Sequence, residues 1–132
     1  MTKIKGWWTL AVVNGLGAAV SMGFSVAGMI DPALVAPGSE VTSTIDLYAQ
    51  AYGARALPLG AAILFLLATR SKGGLIPMLA VAGVVQAGDC LIGATRGTAG
   101  MALGGGTLAA VHLVSVWWLA RHGRRAPAPA TA

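Results

Sequence analysis

Four apolar blocks, each close to the ~20 residues that a helix needs to cross the hydrocarbon core of a bilayer, leave this chain few choices of fold. They run from about Trp7 to Ile30, Leu47 to Thr69, Leu75 to Thr95 and Gly100 to Ala120. Backbone polar groups in lipid must be satisfied within the segment, so each block is expected to be helical. Only 10% of the 132 residues are charged and 56% are hydrophobic, which is far from the balance of a soluble domain. The expected fold is all-α: a polytopic membrane protein with one antiparallel bundle of four transmembrane helices over residues 1–120. Residues 121–132 follow as a basic, then Pro/Ala-rich, cytoplasmic tail.

The breaks between blocks carry turn chemistry. Asp31-Pro32 stops the first segment, because proline cannot continue the hydrogen-bond ladder and disfavours helix at the residue before it. The connection over residues 31–46 is polar, with Pro37-Gly38, Ser39 and Glu40 but no lysine or arginine. Arg70 to Gly74 reads as a tight turn that makes the second and third segments antiparallel neighbours. Pro58 interrupts the second segment, and Pro77 is expected in the first turn of the third, where its missing N–H is harmless. Arg96 to Ala99 forms the last short turn. A secretory signal is the competing reading of the N-terminus, with Lys3 and Lys5 before an apolar run and Ala33 to Ala36 as a cleavage region. That run is longer than the ~7–15 residues of such a signal, so it is read as the first membrane helix.

Cations set the orientation. Lys3, Lys5, Arg70, Lys72, Arg121, Arg124 and Arg125 fall on one side of the expected bundle and Arg96 alone on the other, seven against one. By the positive-inside rule both termini are cytoplasmic, in a bacterial inner membrane. Trp7 and Trp8 open the first segment and Trp117 and Trp118 close the fourth, both on that side, at the depth where indole rings prefer to sit. The net charge of +5 therefore reads as topology and not as a nucleic-acid surface.

Lipid tails are as apolar as leucine, so helices must associate by close packing and by polar bonds. Ala11, Gly15, Ala19, Gly23 and Ala27 form a small-residue stripe on the first segment. Gly83, Ala87 and Gly88 do the same on the third, and Gly100 and Gly104 form a GxxxG on the fourth. Packing within one bundle is the expected use of these faces, with homo-oligomerisation as the alternative.

The polar groups inside the apolar blocks are the candidate site. An ionisable residue near the bilayer centre costs about 2.5–3.5 kcal/mol on insertion scales, so Arg55, Asp89 and His112 need partners or a function. Arg55 lies 17 residues before Lys72 and Asp89 lies 17 after it, which matches their depths across the hairpin and suggests an ion pair. Gln86 is one turn from Asp89 on the same face, and Tyr52 and Tyr48 precede Arg55 on its face. Pro58 frees the carbonyl of Ala54 beside Arg55. Folding the fourth segment back places His112 level with Gly83, and Asn14 falls at a similar depth. The expected ligand-binding or structural cluster is thus Arg55, Gln86, Asp89, His112, Tyr52 and Asn14.

Other chemistries lack their residues. Cys90 is the sole cysteine, so it forms no internal disulfide and reads as a small buried residue. One cysteine with the separated His112 and His122 cannot supply a tetrahedral metal shell, so no metal is expected. No haem or Cys-x-x-Cys motif is present, and no cofactor is expected. Gly104 to Gly106 has no following lysine and is not a phosphate loop.

The elements Tyr52-Gly53-Ala54-Arg55-Ala56-Leu57-Pro58-Leu59-Gly60, Arg70, Val85-Gln86-Ala87-Gly88-Asp89 and His112 together resemble the DUF4267 family of small four-helix bacterial membrane proteins. That family is similar in layout to the wider DoxX-like group. The resemblance runs from about Gly23 to Leu119, with Gly-x-Arg and Gly-Asp its most specific parts. One departure is that the family's arginine is often followed by aspartate, whereas Ala56 follows Arg55 here, which makes Arg55 more dependent on Asp89. The resemblance implies no assigned activity, and its distant relatives imply only a fold-level association with quinone-linked oxidation.

The function expected from these residues is noncatalytic: a compact membrane protein whose polar cluster holds the bundle or binds a small ligand or lipid. A quinone-associated redox component and a small proton-coupled exporter with Asp89 as carrier are the alternatives. The outer position of Asp89 counts against the exporter, and the lack of an attachment site counts against the redox role. The lipid bilayer is the expected partner, and nucleic acid is not.

Overall fold

The structure is a computed structural model that describes residues 6–34 and 37–123. Four helices follow in order: α1 (Trp7–Ile30), α2 (Ser43–Ala68), α3 (Lys72–Thr95) and α4 (Ala99–Gly123), with a 3-10 turn at Pro32–Leu34 between the first two. The chain is all-α, and all four helices are long and apolar enough to cross a membrane. It is a multi-pass membrane protein. Lys3, Lys5, Arg124, Arg125 and most of the expected tail lie outside the described residues.

The helix ends differ from the sequence expectation for local reasons. α2 begins four residues before Leu47, because Thr42 caps it: its Oγ1 accepts the N–H of Ile45 at 3.3 Å. Asp46 in that first turn complements the positive helix end. The following turn is shorter than expected. α2 closes at Thr69, whose hydroxyl donates back to the Phe65 carbonyl at 2.9 Å, and Arg70 takes a left-handed φ of 54°.

α3 then starts at Lys72 and absorbs Gly73 and Gly74. Glycine in a helix costs about 1 kcal/mol, yet Leu75 and Leu79 just beyond are fully buried, and that burial outweighs the propensity. Pro77 consequently sits in the second turn of α3, inside the helix, and not in its first turn as the sequence suggested. The next turn is a Schellman stop: Gly97 is left-handed at φ +71°, and the N–H of Thr98 reaches the Gly93 carbonyl at 2.8 Å. α4 runs three residues past Ala120, with Arg121 and His122 in its last turn facing the negative helix end.

The chain divides into two compact units. Residues 11–70, with most of α1 and all of α2, form the first. Residues 71–123, with α3, α4 and the opening turn of α1, form the second.

In the first unit Gly15 faces Leu64 and Leu67, Gly60 faces Met22 and Ala18, and Gly53 faces Met29. Position rises on α1 as it falls on α2, so the pair is antiparallel. In the second unit Gly83 faces His112 and Leu113, Gly105 faces Gln86 and Cys90, and Gly93 faces Met101 and Ala102, again antiparallel. The buried positions of α2 are 49, 53, 56, 60, 63 and 67, and those of α3 include 75, 79, 82, 86, 89 and 93. Alternating steps of four and three mark the seam of shallow, left-handed helix packing.

The small-residue stripes are used only in part. On α1 Gly15 packs, but Ala19 and Gly23 are exposed, and nothing lies within 4 Å of a Cβ placed on Gly23. Gly100, Gly104 and Gly88 also face open space. The GxxxG of α4 does not face α3, because the α3–α4 seam runs through Gly105, Ala109 and His112.

Candidate functional site

The six residues singled out from the sequence fall in both units. Asn14, Tyr52 and Arg55 belong to the first. Asn14 on α1 is fully buried, and its neighbour Gly15 lies against Leu64 and Leu67 near the end of α2. Tyr52 and Arg55 are near Gly53, which faces Met29 at the other end of α1. About 13 residues of helix, or roughly 20 Å, therefore separate Asn14 from the Tyr52 and Arg55 level. Arg55 is exposed on α2, and its guanidinium lies 5.2 Å from the centre of the Tyr52 ring. That contact follows from helical geometry, which aims a long side chain toward the preceding turn, and it gives the charge an aromatic face.

Gln86, Asp89 and His112 belong to the second unit and lie along its seam, at 8%, 6% and 3% exposure. His112 Cβ is 3.5 Å from the place a Cβ would take on Gly83, so the register expected from the turn is the one found. Gln86 and Asp89 follow about 4.5 and 9 Å further along α3, at 1.5 Å per residue. Ser115, one turn beyond His112 on α4, is also buried. A row of polar groups thus runs along the α3–α4 seam.

Ser115 was missed from the sequence, as was Ser25 on α1, which is fully buried and donates to the Ser21 carbonyl at 2.7 Å. The available signal for Ser115 was its i+3 spacing from His112, which puts it on the same face. A serine in a helix that bonds its own backbone, as Ser25 does, leaves no such signal.

Two closures bring α3 and α4 together. A Cβ on Gly105 would meet the Cys90 nitrogen at 2.7 Å and the Gln86 carbonyl at 2.8 Å, and one on Gly93 would strike the Ala102 nitrogen. Glycine is required at both because the two backbones touch.

Among the described residues, no fully buried side-chain nitrogen or oxygen lacks a hydrogen-bond partner. Asn14, Tyr52, Arg55, Asp89, His112 and Ser115 are all engaged. Among the same residues no group of three His, Cys, Asp or Glu side chains could hold a metal ion. Cys90 is half-buried, with its Sγ 3.2 Å from a Cβ placed on Gly106. Comparison with family models, curated proteins and solved structures finds no match to this chain.

Proposed function

We propose that this chain is a small, noncatalytic integral membrane protein in which the buried row Gln86, Asp89, His112 and Ser115 fixes the α3–α4 pair through polar bonds. The observation that supports this reading most strongly is the complete satisfaction of buried side-chain polar atoms among the described residues. A polar group that is nearly inaccessible and already bonded is poorly placed to meet a substrate, and well placed to hold helices together in a solvent that offers no competing partners.

Two further parts of the proposal rest on the sequence. The Tyr52 to Gly60 and Gln86 to Asp89 elements support membership of the DUF4267 family. The cation bias supports a bacterial inner-membrane location with both termini cytoplasmic.

Native mass spectrometry of the purified protein, with thermal unfolding, tests the reading on the wild type and on Asp89→Asn. The expected result is the same set of bound lipids and small molecules in both, and a lower unfolding temperature for the variant. A species bound to the wild type and lost from an equally stable Asp89→Asn protein would make the row a ligand site instead.

A further inference from the structure

We propose that the end of the second unit where α1 begins and α4 ends is a binding surface for anionic phospholipid headgroups, centred on Arg121, Trp117 and Lys72. The three helix ends are gathered by observed contacts. Gly6, with φ +99°, lies against the Trp118 ring, where a Cβ would come within 3.2 Å of Cζ2, so the start of α1 is held to the end of α4. The antiparallel register of α3 and α4, fixed by Gly83 against His112, brings exposed Lys72 to the same end.

Among the described residues, the helix ends gathered here carry cations and no acidic residue. The first turns of α1 and α3 contain no acidic residue, and the last turn of α4 contains Arg121 and His122. The chain's four acidic residues, Asp31, Glu40, Asp46 and Asp89, are all elsewhere in the sequence.

The aromatic residues fix the depth. Trp8 and Trp117 are 72% and 54% exposed, and indole rings on membrane-spanning helices settle at the headgroup level. The Arg121 guanidinium is held 4.2 Å from the Trp117 ring centre. A guanidinium laid over an indole is ordered without spending its edge N–H groups, which remain able to fork two phosphate oxygens. Beside it, the His122 ring lies 4.4 Å from that of Trp118, and its Nδ1 donates to the Trp118 carbonyl at 2.8 Å. Ser71 gives α3 no side-chain cap, and nothing lies within 4 Å of a Cβ placed on Gly73, so the first amides of α3 add donors next to Lys72. The opposite end of α3 and α4 carries Arg96 alone, with no tryptophan. A surface of ordered cations at indole depth matches a lipid phosphate with a net negative headgroup.

The test is native mass spectrometry of the full chain released from nanodiscs containing equal amounts of phosphatidylglycerol and phosphatidylcholine. Thermal unfolding in detergent with each lipid or with inorganic phosphate accompanies it. The wild type should retain phosphatidylglycerol several-fold over phosphatidylcholine and be stabilised by it and not by inorganic phosphate. Arg121→Gln with Lys72→Gln should abolish that preference, Arg121→Lys should retain part of it, and Arg96→Gln should leave it intact. Circular dichroism confirms that each variant is folded. Equal retention of the two lipids, a preference unchanged in the double variant, or equal stabilisation by inorganic phosphate would overturn the proposal.

Discussion

The two helical pairs share one seam spacing and differ in what their glycines touch. In the α1–α2 pair, Gly53 and Gly60 receive the side chains of Met29 and Met22, with a backbone oxygen, that of Ala18, no closer than 3.4 Å to a Cβ on Gly60. In the α3–α4 pair, Gly93 and Gly105 receive backbone atoms of the opposite helix. Methionine has three rotatable bonds and yields to a neighbour, whereas a helix backbone does not. The polar burial follows the same division. The yielding pair buries Asn14 and Ser25, while the unyielding pair buries Gln86, Asp89, His112 and Ser115. The second pair thus combines close backbones with the larger set of buried polar groups.

Substitutions can break this comparison, beginning with the closest contact. Gly93→Ala should cost about 3 kcal/mol, at the upper range of overpacking, because its Cβ meets the Ala102 backbone and one helix must shift. Denaturant unfolding in detergent micelles followed by circular dichroism measures this, and a loss under about 1 kcal/mol would show that the pair gives way after all. Asp89→Ala should follow at about 2 kcal/mol, the cost of leaving a buried partner unsatisfied, read in the same assay. Gly60→Ala should cost only about 1 kcal/mol, since Met22 can swing aside. A loss as large as that of Gly93→Ala would erase the difference between the pairs. Gly104→Ala should have the smallest effect, a gain of roughly 0.5 kcal/mol from better helix propensity on a face with nothing near it. If it destabilised instead, and only at high protein concentration, that face would belong to a contact between copies.

Much of this layout is written in hydropathy. The existence of four membrane helices follows from apolar runs, and the end of α1 at Ile30 from the Asp31-Pro32 stop. The start of α2 does not, since Thr42 acts as a cap through a hydrogen bond that no hydrophobic signal carries. The start of α3 was hidden by Lys72-Gly73-Gly74, a turn-like string taken into the helix because Leu75 and Leu79 must be buried. At Arg70 the backbone takes a left-handed φ of 54°, a conformation that favours glycine, so residue type gives no sign of it.

The candidate site was legible in its residue types more than in its grouping. His112 fell level with Gly83 as the turn length implied, and Gln86 and Asp89 lie on the seam. Asn14, Tyr52 and Arg55 fall in the other helical pair, and a distance between helices is not encoded in spacing along either one. The small-residue pattern misled for a specific reason. Four-residue spacing selected Ala19 and Gly23, which face outward, while the contacts follow the alternating four and three steps through Gly53, Gly60, Gly93 and Gly105.

The most direct test is a rescue experiment on the two kinds of glycine. Unfolding free energies would be measured for Gly53→Ala with and without Met29→Ala, and for Gly105→Ala with and without Cys90→Ala. Truncating Met29 should recover most of what Gly53→Ala loses, because the obstacle is a side chain. Truncating Cys90 should recover little at Gly105, where the obstacles are the Cys90 nitrogen and the Gln86 carbonyl. Equal rescue in both pairs would contradict backbone contact as the lock on α3 and α4.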